Sequence, residues 1–390
     1  MSNPAFRKRE LIFPVFVPSM LFSAGEGAIV PILPSAAQHL GASLPVAGFI
    51  AGLTMVGTVL FDVPAAKLVH RFGERRSMLL SSVVAAAALI GALMANTLWL
   101  LGIWILIAGA MISVFALARH AFMAEQVPLS HRARALSLLG GMFRAGGFIG
   151  PVIAAAVVYA FGLHWVYLAG AILCLASGAV LLAAPKDSVP DGSGGHHGSA
   201  LAVARREWRK LATVGTSSTI LGSMRTVRQV GLPLWGIFIG MHPGTVSLFI
   251  GIAGLLDFVL FYASGQIMDK WGRRWAIMPT LVGMGVSHFL LIFAHTDFWF
   301  LVVCLIMSLA NALGSGIVLT LGADLAPPDA RNEFLAAYRL QVDTGVAVTP
   351  ALLSALTVAI TLPGAIVAFS GVSLVGAWLG WRYIPRFGIR

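Results

Sequence analysis

The stretch "RFGER" at residues 71–75 recurs as "KWGRR" at 270–274, with Gly73 falling on Gly272 at an offset of 199. The same offset sets Pro34 on Pro233, Glu125 on Asp324, Pro128 on Pro327, Arg132 on Arg331, Gly146 on Gly345 and Pro151 on Pro350. A single spacing kept over so much of both halves marks a duplication, with two units in parallel orientation. Composition says what the units are made of. The 390 residues are 58% hydrophobic and only 11% charged, with a mean hydropathy of +0.89, more apolar surface than a soluble domain can hide. Apolar segments recur along the whole length, so a cleaved leader does not account for them. Each must cross the bilayer as a helix, with its amide groups paired internally.

Near-apolar segments of about 20 residues fall at 12–34, 45–66, 77–94, 99–124, 134–159, 164–184, 212–239, 245–267, 274–294, 297–322, 334–359 and 363–382. The expected fold is therefore an all-α integral membrane protein with twelve transmembrane helices in two pseudo-symmetric six-helix bundles. The bundles would cover 1–185 and 211–390, joined by a cytoplasmic linker over 186–210 whose Gly, Ser, Pro and charged residues suit a flexible tether with an amphipathic end.

Of 26 Lys and Arg, five lie within spans (Arg119, Arg144, Arg225, Arg228 and Arg339). The other 21 (26 − 5) cluster at the termini and in the even-to-odd connections, including "RKR" at 7–9 and "RREWRK" at 205–210. The opposite connections hold no Lys or Arg and one acid, Asp297. This bias puts both termini in the cytoplasm and explains the net charge of +11 without a nucleic-acid partner. Cys174 and Cys304 lie inside spans and read as small buried apolar residues. His196 and His197 read as linker, because no Cys or acid stands at ligand spacing. No cofactor or metal is expected.

Nine ionisable groups sit inside or at the edge of spans: Glu26, Asp62, Arg119, Arg144, Arg225, Arg228, Asp257, Arg339 and Asp343. Such groups are costly in lipid and face a bundle interior, a partner or a water path. Counting about 1.5 Å per residue puts Glu26, Arg144, Arg225 and Asp343 near mid-membrane. The repeat offset sets Glu26 on Arg225 and Arg144 on Asp343, so acid and base are exchanged between halves. Glu26 and Asp343 are the candidate proton carriers. Arg144 and Arg225 are the fixed charges that tune them, with Arg144 expected beside Glu26 or Asp343 and Arg339 expected to hold Asp343 ionised. Phe22, Met55, Met142, Phe143, Trp235 and Phe238 are candidate cavity walls, and Gln229, Asn311 and Gln341 are candidate hydrogen-bonding groups.

"AKLVHRFGERR" at 66–76 and "GQIMDKWGRR" at 265–274 resemble the Gly-x-Leu-Ala-Asp-Arg-x-Gly-Arg-Arg connection of the major facilitator superfamily, with Ala66 and His70 departing from it in the first copy. The whole chain is similar to twelve-span transporters of that family, in particular drug/proton antiporters. The resemblance implies a cytoplasmic gate formed by His70, Arg71, Gly73, Arg75, Asp269, Gly272 and Arg273, with Asp269 the better match to the family's latch aspartate. It also implies a buried span 4 arginine at Arg119, which Asp62 could partner unless it belongs to the cytoplasmic latch, and an antiporter-type packing motif in span 5 at Gly147, Gly150 and Pro151, where Ala154 and Ala155 replace the final glycines.

Two halves with a seam suit alternating access. The expected activity is proton-coupled export of small amphiphilic or drug-like compounds by a functional monomer in the cell membrane, the expected partners being the small-molecule substrate, protons and membrane lipids. A bacterial inner membrane fits this reading. A lipid or lysolipid exporter, a sugar or metabolite symporter and a nontransporting membrane scaffold stay open as alternatives. No nucleotide-binding loop or metallohydrolase cluster speaks for an enzyme or an ATP-driven pump.

Overall fold

A computed structural model describes residues 15–126, 129–183 and 199–389. The "RKR" stretch, Pro128, the His196–His197 pair and most of the expected linker lie outside the described residues. Among the described residues, ten helical segments are long and apolar enough to cross a membrane. Thr216–Phe238 and Arg274–Leu291 complete twelve spans, their hydropathy lowered by polar residues such as Arg225, Arg228 and Gln229 in the first and Arg274 and His288 in the second.

In chain order, spans 1 to 6 are Val17–His39, Leu44–Phe72, Glu74–Leu93, Leu98–Gln126, Leu129–Phe161 and Trp165–Leu182. After the short linker helix Ala200–Arg206, spans 7 to 12 are Thr216–Phe238, Pro243–Trp271, Arg274–Leu291, Asp297–Leu325, Arg331–Ile360 and Leu362–Tyr383. Span 1 tightens to a 3-10 turn at Val30–Ile32, where Pro31 and Pro34 withdraw two amide donors. Span 10, expected to be continuous, is broken between Leu313 and Ile317 by "GSG", with Gly316 at φ 80°.

The duplication governs the packing. Span 1 lies against spans 5 and 6, span 2 against 4, and span 3 against 4 and 6. In the second half, span 7 lies against 11 and 12, span 8 against 10, and span 9 against 10 and 12. The halves meet along two seams, span 2 with span 11 and span 5 with span 8, and exchanging the halves maps one seam onto the other. Individual contacts obey the same offset. Ser177 Oγ donates to the Pro18 carbonyl at 2.9 Å, and Ser217 Oγ to the Gly376 carbonyl at 2.7 Å, which is the same pair of positions with the donor exchanged. Small residues permit this closeness: a Cβ on Gly150 would stand 2.4 Å from the Ala24 carbonyl oxygen of span 1.

The linker helix is fastened to the second half. Ser199 caps its start, and Arg206 grips Asp329, beyond span 10, at 2.7 and 3.2 Å. Lys210 donates to the Leu325 carbonyl that ends span 10.

Candidate functional site

Because spans 1, 4, 5, 7, 8 and 10 bring polar groups to the space between the halves, a cavity of about 490 Å³ forms there. Its walls include Glu26, Arg119, Phe143, Arg144 and Gly147 from the first half, and Arg225, Arg228, Gln229, Asp257 and Asn311 from the second.

The two halves treat their charges differently. In the first, Arg119 lies over the Phe143 ring at 4.4 Å and is the cation facing Glu26. Yet Glu26 Oε2 and Arg119 Nε and Nη1 are buried with no hydrogen-bond partner. In the second, Arg228 Nη1 meets Asp257 Oδ2 at 2.7 Å and its Nη2 donates to Ser308 Oγ at 2.6 Å. Asn311 Nδ2 donates to Asp257 Oδ1 at 3.0 Å, while Asn311 Oδ1 accepts from Arg225 Nε at 2.9 Å. Arg225 Nη2 donates to the Gly314 carbonyl at 2.9 Å, so it satisfies an acceptor at the break in span 10. Broken helices that supply free carbonyls are common at membrane substrate sites.

Arg144 is not held by Glu26 or Asp343 as expected. It stacks across the seam on Phe261 at 5.5 Å, and Asp257 is the acid whose field it feels. Asp343 does not line the cavity: Arg339 Nε bonds it at 3.2 Å from the exposed side, and Asp62 is the other acid nearby. Depth along a helix can be counted from sequence, but azimuth cannot, and Asp257 holds the place expected of Asp343. Asp62 accepts from Ser113 Oγ at 2.5 Å, and among the described residues no ion pair joins it to Arg119.

Of the expected wall residues, Phe143 and Gln229 line the central cavity. Phe22 is buried in the first half, stacked on Phe115 at 4.0 Å. Met142 packs on the cluster around Phe122 and Leu139, and Met55 against the core. Trp235 is fully buried and donates to the Ala294 carbonyl at 2.9 Å, with Phe238 half exposed beside it. Gln341 donates to the Leu211 carbonyl and fixes the entry to span 7. Ser308 and Phe261 were not anticipated. Ser308 stands three residues before Asn311 on one helix face of an otherwise apolar span, a signal that spacing alone could have supplied.

The residues expected to form a gate stay within their own halves. Arg75 donates to the Leu181 and Leu182 carbonyls and caps span 6. Arg273 bridges to Asp324 at 2.9 Å, while Asp269 is largely exposed at 3.8 Å from Arg273. His70 and Arg71 are exposed, and Gly73 and Gly272 make the positive-φ turns after spans 2 and 8. Among the described residues, the hydrogen bond between the halves is at the opposite end, Tyr159 Oη to Thr245 Oγ1 at 2.7 Å, with Tyr159 stacked on His242. The cavity is shut at that end. It reaches toward the basic end, where Gly140 lines it with open space before its Cα.

Comparison with known proteins gives a consistent result. A family model described as Major Facilitator Superfamily matches residues 15–270 and 225–388. An uncharacterized MFS-type transporter of Mycobacterium tuberculosis is 28% identical over 191 residues, a match covering 47% of this chain but 28% of the relative's length. The class C tetracycline resistance protein of Escherichia coli is 27% identical over 309 residues, covering 75% of this chain and 76% of that protein. A crystal structure of the peptide transporter POT shares the fold, with a TM-score of 0.80 at 12% identity over 99% of this chain and 96% of that one.

Proposed function

The chain belongs to the Major Facilitator Superfamily, and from that premise we propose that it is a proton-coupled exporter of small amphiphilic or drug-like compounds working by alternating access. One observation carries the reading: a seam cavity of about 490 Å³, shut at one end, contains a carboxylate with a buried, unpartnered oxygen. That volume suits a drug-sized molecule. The moving bodies are the bundles over 1–185 and 211–390, tethered by 186–210. With both termini cytoplasmic, the cavity faces the cytoplasm, where it takes substrate. The Tyr159–Thr245 contact then parts as the basic end closes, and Asp269 and Arg71 form the latch there. Glu26 is the proton carrier, because a carboxylate that is wetted from alternate sides exchanges protons with each in turn. Asp257 replaces Asp343 as the second acid at the site. Export, as the direction, rests on the span 5 resemblance.

The test is flux in proteoliposomes with a pH dye. An imposed proton gradient should drive substrate, and substrate should move protons. Glu26→Gln should abolish substrate-driven proton movement while leaving binding intact. Normal proton stoichiometry in that variant would remove Glu26 from the mechanism, and gradient-independent flux in the wild type would make the protein a uniporter.

A second reading, metabolite symport, is favoured by Glu26 and Arg119 lining the same cavity with buried, unpartnered polar atoms. Protonating Glu26 frees a guanidinium for a substrate anion, so proton and substrate load together. The direction of proton movement in the same assay separates the two.

A further inference from the structure

The charges in the central cavity are unequal. Four guanidiniums, Arg119, Arg144, Arg225 and Arg228, face two carboxylates, Glu26 and Asp257. Arg228 is paired with Asp257. Arg225 donates to two neutral acceptors, so its hydrogen bonds are satisfied but its charge is not cancelled. Arg144 rests on an aromatic ring, and no described carboxylate forms an ion pair with it. Arg119 is 7% exposed and lies over the Phe143 ring, with two guanidinium nitrogens lacking a hydrogen-bond partner. Leaving buried cations in this state is costly.

The duplicated scaffold does not require the excess. At the repeat offset, Arg119 corresponds to Val318 and Arg228 to Ile29. Arg144 and Arg225, from opposite halves, also line the same cavity, where their like charges oppose one another. An anion between them would turn repulsion into a clamp, and the forked donors of arginine match the paired oxygens of a carboxylate or phosphate.

Resting on the reading of this cavity as the substrate site, we infer that the substrate is an amphiphilic organic anion. Its carboxylate or phosphate docks between Arg144 and Arg225, within reach of Arg119, and its apolar body lies along Val30, Leu232 and Ile250. All of these residues line the cavity.

The experiment uses purified full-length protein and four compounds that share one apolar body: naphthoate, naphthyl phosphate, naphthylmethanol and naphthylmethylammonium. Thermal unfolding in detergent reads binding, and proteoliposomes under a proton gradient read flux. The anions should raise the unfolding temperature and be carried. Arg144→Gln should weaken their binding about tenfold or more, with Arg144→Lys intermediate. Preference for the alcohol or the ammonium, or anion binding unchanged in Arg144→Gln, overturns the anion site. Arg144→Lys carries the comparison if the glutamine variant does not fold. The two readings fail separately. Driven flux of the ammonium compound keeps the transporter and sinks the anion site, whereas Arg144-dependent anion binding without flux keeps the anion site and sinks the transporter.

Discussion

Thr361 holds a backbone conformation, φ 89° and ψ 161°, that belongs almost to glycine alone. Among the described residues it is the non-glycine with positive φ, and its repeat counterpart is Gly162 at φ 97°. Both close a span and open the next: the Thr361 amide donates to the Thr357 carbonyl at the end of span 11, and span 12 begins one residue later. The turn is the same in both copies although only one of them carries a glycine. A β-branched residue there stores about 1–3 kcal/mol of strain, offset in part by the greater freedom of glycine in the unfolded chain, about 0.5–1 kcal/mol. Thr361→Gly should therefore stabilise the protein by about 1 kcal/mol, seen as a higher unfolding midpoint in detergent with substrate binding unchanged. An equal or lower midpoint would mean that the threonine is not strained.

At the scale of the element, span 5 separates two tasks that its glycine-rich sequence leaves mixed. Gly146 and Gly150, four apart, face span 1, where a Cβ would strike the Met20 or Ala24 carbonyl oxygen at 2.5 or 2.4 Å. Gly147 has nothing within 4 Å and lines the cavity. Gly150→Leu should consequently give no folded protein, because backbone has nowhere to move. Gly147→Leu should fold with a near-normal midpoint but bind substrate about tenfold more weakly, since its side chain fills the site. Size-exclusion profiles and ligand-induced thermal shifts check the pair, and similar behaviour of the two variants would refute the division. The same span shows where sequence reasoning stopped. Its length, its small residues and the depth of Arg144 were legible from hydropathy and counting. The azimuth was not: Arg144 rests on Phe261 rather than beside Glu26 or Asp343, and Asp257 lines the cavity where Asp343 is expected. The break in span 10 was hidden for a related reason: "GSG" is too short and too weakly polar to interrupt an apolar span, and Arg225 bonding the Gly314 carbonyl reveals its use.

Across the whole molecule, the repeat was the most legible feature, since a constant offset records the symmetry of the fold directly. The gate was the least, because the residues expected to form it, such as Arg75 and Arg273, make their contacts within their own halves. The pairing of seams, span 2 with 11 and span 5 with 8, means that the halves can rock as bodies only if contact at one end is broken while contact at the other is made. At the closed end a Cβ on Gly251 would lie 2.7 Å from Val152 Cγ2 and 3.2 Å from the Val152 amide nitrogen, so the two backbones are near disulfide distance across span 5 and span 8. The native Cys174 and Cys304 are buried and do not compete for oxidant. In Val152→Cys/Gly251→Cys, oxidation should therefore join the halves at that end and hold the cavity facing the basic end. Substrate binding from the basic side should survive, because Arg144, Arg225 and Glu26 keep their present surroundings, while flux in proteoliposomes should fall to background and return on reduction. Each single-cysteine variant, oxidised in the same way, should transport as it does when reduced. Full flux through protein shown by gel mobility to be cross-linked would mean that spans 5 and 8 need not part, and the rocking of the two bundles would have to be given up.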